Sequence, residues 1–113
     1  MSEYREALEK CDWTIFDLWG AINDLLPDNS GNYLEEWTLA DCEYLQKEFH
    51  VAANSIFSSV LTNHFSYEVR NALNMFDSAL EKKDIKQCKA RCLECCKVFH
   101  ETRIVCQRSK KLV

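Results

Sequence analysis

Apolar residues that recur at alternating steps of three and four constrain this chain more than any other feature of its sequence. Leu8, Cys11, Ile15, Leu18, Ile22 and Leu25 keep that rhythm. Side chains so spaced share one stripe of an α-helix, whereas a strand needs alternation in twos. The rhythm returns in Cys42, Leu45, Phe49, Ala52, Ile56 and Ser59, with Ala53 and Val60 widening the stripe. It returns in Val69, Leu73, Phe76 and Leu80, and again in Ile85, Cys88, Cys92, Cys95, Phe99, Thr102 and Cys106. Each stripe must be covered, and helices joined by short links cover one another. The sequence therefore predicts an all-α fold, an antiparallel bundle of three to four helices over about residues 2–26, 34–63, 67–83 and 85–109, within a single domain spanning 1–113. Two Gly and one Pro supply too few turns for a sandwich or barrel.

The ends of these stripes carry their own signals. Ser2 suits an N-cap, with Glu3 and Glu6 facing the positive end of the helix dipole. Pro27 stops the first helix, and residues 28–32 form a turn-rich loop. Thr38 caps the second helix with Asp41 three residues on. Residues 62–66 are weak helix formers and read as a break between the second and third helices, the alternative being one bent helix. Lys82 and Lys83 suit a C-terminus, and Asp84 with Gln87 opens the last helix.

Charge divides the chain. Residues 1–80 hold 4 Lys+Arg and 14 Asp+Glu, a balance of −10, while residues 81–113 hold 10 and 4, a balance of +6. A basic last helix beside acidic ones accounts for this split. A basic stretch within a protein of net charge −4 makes a poor phosphate-binding surface, so a nucleic-acid partner is not expected. No apolar run reaches membrane-span length, and the charged start Met1-Ser2-Glu3-Tyr4-Arg5-Glu6 is unlike a signal peptide. The expectation is a cytoplasmic protein with reduced thiols and no membrane contact.

Seven cysteines invite a metal reading, and four of them fall within nine residues. Cys88, Cys92, Cys95, Cys96 and His100 form the alternative ligand set. Ligands at steps of four along one straight helix diverge, since each turn climbs about 5.4 Å, too far for three or four ligands on one ion. The paired knuckles of structural zinc sites are also missing. Cys88, Cys92, Cys95 and Cys106 instead share the stripe of Ile85 and Phe99, where a thiol packs as a small hydrophobe. Cys96 lies off that stripe and is the expected exposed thiol.

No catalytic constellation emerges. Of His50, His64 and His100, only His100 could meet a cysteine, Cys96, across one turn, and no oxyanion-stabilising loop adjoins it. Glu3, Glu6, Glu9, Asp12, Asp17 and Asp24 mostly lie off the inward stripe, as on a solvated face. No cofactor motif is present. The aromatic residues say more. Trp13 and Phe16 lie opposite the Leu8–Leu25 stripe, with Trp19 to one flank. Either the helix is covered on two sides or it carries an exposed contact patch.

Residues 65–74 read Phe65-Ser66-Tyr67-Glu68-Val69-Arg70-Asn71-Ala72-Leu73-Asn74. This run resembles the H-box of histidine-kinase dimerisation and phosphotransfer domains, F-S-H-E-L-R-N-P-L-N. The likeness extends over residues 60–106 as a helical hairpin in which Glu68, Asn71 and Leu73 match. It implies a dimerisation hairpin whose chemistry has been lost. Tyr67 stands at the phospho-accepting histidine, and Ala72 at the proline. A phenol of pKa about 10 cannot replace an imidazole of about 6.5 in reversible phosphoryl transfer. His64 would face another side of the helix.

Taken together, the residues suggest a non-enzymatic interaction module: a small adaptor, inhibitor or immunity-type binder. It would engage a protein partner, or a second copy in a homodimer, through Trp13, Phe16 and Trp19. The alternatives are a degenerate phosphotransfer-type dimerisation hairpin regulating a signalling pathway, and a metal- or redox-responsive cysteine-rich bundle.

Overall fold

The computed structural model describes residues 3–28, 30, 31, 33, 36–57 and 66–112. The periodic stripes become four helices: α1 (Glu3–Ile22), α2 (Leu39–Phe57), α3 (Ser66–Glu81) and α4 (Ile85–Lys110). No strand occurs among the described residues. Each helix packs on its neighbours in chain order, α4 closes back on α1, and α2 touches α4 across the diagonal. The result is a four-helix bundle. The 26 residues of α4 span about 39 Å at 1.5 Å each, most of the 46 Å long axis of the molecule.

The links show why neighbours run antiparallel. Lys83 has φ +57°, a left-handed conformation that costs a non-glycine residue energy. Its amide bonds to the Leu80 carbonyl at 2.8 Å, and the Asp84 amide to that of Ala79 at 3.1 Å. This is a Schellman motif, which satisfies the last carbonyls of α3 and reverses the chain. The Asp84 carboxylate then accepts from the Gln87 amide at 3.1 Å and caps α4 as its spacing suggested.

Two boundaries differ from the sequence reading. α1 ends at Ile22 and tightens into a 3-10 turn at Asn23–Leu25 ahead of Pro27. Leu25, expected on the helical stripe, is therefore only partly buried. α2 begins at Leu39 rather than residue 34, because a capping box fixes its start. The Asp41 carboxylate accepts from the Thr38 amide at 2.8 Å, while the Thr38 hydroxyl accepts from the Asp41 amide at 3.3 Å. Ser2, Ser59, Val60, His64, Phe65 and residues 62–65 of the expected break lie outside the described residues, while Ser66, the last residue of that expected break, opens α3.

The shortened α2 frees Trp37 to leave the helix and plug the end of the bundle. It is buried to 5% exposure, and its Nε1 donates to the Leu25 carbonyl at 3.1 Å. Tyr33 meets it edge to face at 5.6 Å, and the Lys89 ammonium lies 4.7 Å from the Tyr33 ring centre. Tyr44 donates from its hydroxyl to the Ala21 carbonyl at 2.9 Å. These contacts fasten the start of α2 to the end of α1. At mid-bundle, Phe49 stacks on Phe99 (5.9 Å, 10°) and meets Phe76 edge to face (5.7 Å, 76°), with all three rings buried. The stripe residues Leu8, Cys11, Ile15, Leu18 and Ile22 are buried in the same core. So are Cys88, Cys92, Cys95 and Cys106.

Candidate functional site

α1 turns two kinds of apolar surface in different directions. Its stripe faces the core, which leaves Trp13 64% and Phe16 52% exposed. The two rings are one turn apart and meet edge to face at 5.7 Å and 83°. Trp19 is set differently: it is partly buried and packs against the core. Of the three aromatic residues picked out by sequence, the outward face thus holds Trp13 and Phe16, while Trp19 flanks the bundle interior.

The face is anchored to α4 through an acidic residue that the sequence did not single out. Asp12 sits between the inward stripe and Phe16, on the side towards α4, with its side chain 15% exposed. Arg103 Nε donates to Asp12 Oδ1 at 2.6 Å, Lys110 Nζ to Oδ2 at 3.0 Å, and Gln107 Nε2 to Oδ1 at 3.3 Å. Desolvation pushes the Asp12 carboxyl up, but the hydrogen bonds and charges of Arg103 and Lys110 outweigh it and hold the pKa below the usual carboxylate range. The Arg103 guanidinium also lies 5.4 Å from the centre of the Phe16 ring. One arginine therefore neutralises Asp12 and borders the aromatic patch. The signal was present in sequence as an acidic first helix and a basic last one, but the pairing needed the fold.

The cysteine set does not assemble around a point. Cys88, Cys92 and Cys95 are buried, Cys96 is half-buried and His100 is exposed. Among the described residues, no group of three or more His, Cys, Asp or Glu side chains is placed to hold a metal ion. Cys96, the expected exposed thiol, is therefore more covered than its position off the stripe suggested; its neighbour Cys92 hydrogen-bonds to it one turn away. Burial pushes the Cys42 thiol up to about 12 and raises Cys95 as well.

His50 bridges α2 to α3. Its Nε2 lies 2.9 Å from Asp77 Oδ1 and 3.0 Å from Oδ2, while Gln46 Nε2 donates to Oδ1 at 2.9 Å. Tyr67, at the histidine position of the H-box-like run, is 81% exposed. With Glu68, Asn71, Glu94, Lys97 and Glu101 it borders a shallow groove of about 400 Å³ between α3 and α4. No helix among the described residues is long and apolar enough to cross a membrane. No family model, curated protein or solved structure matches the chain.

Proposed function

We propose that this chain is a non-enzymatic helical interaction module, a small adaptor, inhibitor or immunity-type binder, that docks a protein partner on the Trp13–Phe16 face of α1. The observation that carries the reading is the exposure of two large rings in mutual contact, bordered by Arg103, on a helix whose other face is already buried. Trp and Arg are residue types on which binding energy concentrates. The Asp12 cluster fixes the α1–α4 seam beneath the patch, so little ordering cost falls due on binding. Seven thiols in 113 residues suit a reducing compartment such as the cytoplasm.

The test is Trp13→Ala. Because the ring is largely exposed, the isolated fold should lose about 1 kcal/mol or less, whereas association should weaken by roughly 2 kcal/mol or more. Sedimentation equilibrium measures self-association, and titration against a partner captured by the wild type but not by the variant measures the rest. A variant that melts like a core truncation, at a loss of about 3–5 kcal/mol, or that associates as wild type does, refutes the reading.

A second reading, the degenerate phosphotransfer-type hairpin, draws support from the exposed Tyr67 and the tight α3–α4 turn. Against it, Val69, Leu73 and Phe76 of α3 and the inward stripe of α4 are already covered within the chain, leaving those faces unavailable to a second hairpin.

A further inference from the structure

We propose that Cys11 and Cys106 are an oxidisable pair, and that a disulfide between them bolts the first helix of the bundle to the last. The Cys106 and Cys11 Sγ atoms lie 2.9 Å apart, within reach of an S–H···S hydrogen bond that either thiol can donate, with the two residues 95 apart in sequence. A disulfide bond is about 2.05 Å long, so the sulfurs need to approach by less than about 1 Å. The helices are already held at this point by separate ties. Asp12, the neighbour of Cys11, accepts from Arg103 and Lys110, which lie on either side of Cys106 in α4. Bond formation therefore asks for side-chain rotation and not for a new helix packing.

Both sulfurs are buried, so the route in matters. Cys106 lies in the last two turns of α4, which ends at Lys110. Fraying of those turns uncovers the pair without opening the bundle, because helix ends open at far lower cost than the core. Of the two thiols, Cys106 is the one that fraying brings into solvent, so it is the one that attacks. In the closed bundle a hydrogen bond donated by Cys11, helped by the nearby Lys110 charge, holds the Cys106 thiol below its ordinary range despite burial and Asp12. A second thiol pair joins α2 to α4, Cys42 with Cys88, but the carboxylates of Asp41 and Asp84 stand beside it and burial raises both thiols. Cys92 and Cys96 lie on one helix, where a bond ties no two elements together.

The step balances with a small-molecule disulfide as oxidant. The Cys106 thiolate attacks one sulfur of oxidised glutathione, forming a mixed disulfide and releasing one glutathione thiolate. Cys11 gives up its proton and attacks the Cys106 sulfur, releasing the second glutathione. Two protein thiols are oxidised to one disulfide, one glutathione disulfide is reduced to two thiols, and the two protons pass to the leaving thiolates. An excess of reduced thiol reverses the sequence. Because the bond closes a loop of nearly the whole chain, it restricts the unfolded state strongly.

The experiment treats the reduced full chain with graded ratios of oxidised to reduced glutathione, followed by intact mass and a peptide map under non-reducing conditions. The expected result is loss of two hydrogens, a cross-linked peptide pair joining Cys11 to Cys106, and a melting temperature higher by on the order of 10 °C that dithiothreitol abolishes. A cross-link mapped to Cys42–Cys88 or Cys92–Cys96, a glutathione adduct on Cys96 alone, or an oxidised protein that melts no higher overturns the proposal. The wild-type map decides by itself; Cys96→Ser, which leaves the pair intact, should cross-link identically.

Discussion

Replacing Asp12 with Ala should cost this fold about 2 kcal/mol, and the figure follows from its surroundings. The carboxylate accepts from Arg103, Lys110 and Gln107, and hydrogen bonds to charged groups contribute about 1.5–3 kcal/mol each when fully sequestered. The loss here is smaller than that sum. Arg103 and Lys110 keep 26% and 25% of their side chains exposed, so both can rehydrate once Asp12 is gone. The site thus falls between a buried pair, whose breakage costs about 3–5 kcal/mol, and an exposed one, worth at most about 1 kcal/mol. A domain of this size should melt about 10 °C lower. Asp12→Asn keeps an acceptor and should lose about half as much. The pH dependence gives an independent check. Arg103 and Lys110 hold the native pKa of Asp12 below its unfolded value, so the unfolded chain takes up the proton first as pH falls. The stabilisation is whole above the unfolded carboxylate pKa of about 3.9 and disappears as pH drops through the lower native value. Thermal melts of wild type and Asp12→Ala should therefore differ at pH 7 and converge towards pH 2. A variant that melts within about 2 °C of wild type at pH 7, or a gap that persists undiminished in acid, refutes the reasoning.

Two further substitutions probe the scaffold. Lys83→Gly removes the left-handed strain at the α3–α4 turn and should raise stability by about 0.5–1 kcal/mol, read as an increased urea midpoint with unchanged slope; a lower midpoint contradicts the Schellman assignment. Phe49→Ala empties the space between Phe76 and Phe99 and should cost about 3–5 kcal/mol, a large share of the roughly 5–15 kcal/mol that holds such a domain together; a loss under about 1 kcal/mol would place the core elsewhere.

The bundle was legible in the sequence because helical burial repeats. Once Leu8, Cys11 and Ile15 lie on one stripe, the burial of Leu18 and Ile22 follows from 3.6 residues per turn. The same logic placed Cys88, Cys92, Cys95 and Cys106 inside without any knowledge of their neighbours. Trp37 escaped it. It sits in a connection, where no period operates, and its burial depends on a hydrogen bond to Leu25 that only the closed bundle brings within reach. A helix counted from residue 34 took Trp37 in, although the Thr38–Asp41 capping box, itself legible in the sequence, sets the start after Thr38. Asp12 escaped for a related reason. On a helical wheel it is one acidic residue among several, and nothing local distinguishes it from Glu9 or Asp17. Its role arises from Arg103, Gln107 and Lys110, more than ninety positions away.

The proposed binding face of α1 is set apart from ordinary exposed apolar surface by more than its exposure. Exposed apolar side chains are ordinary on a small domain, and Val51, Leu93, Val105 and Leu112 are examples. Trp13 and Phe16 differ in being adjacent, in lying edge to face, and in sharing a border with a cation fixed from below. Arg103 is held by Asp12 and so cannot freely swing away to hydrate. A cation so fixed beside a ring offers a partner's carboxylate or carbonyl a positioned donor next to an apolar surface. That combination of a flat aromatic area and a directional charge at its edge is what a specific protein contact uses, and scattered aliphatic exposure lacks it. The pairing that stabilises the α1–α4 seam thus also shapes the surface beside it, which ties the stability of the bundle to the geometry of its proposed binding face.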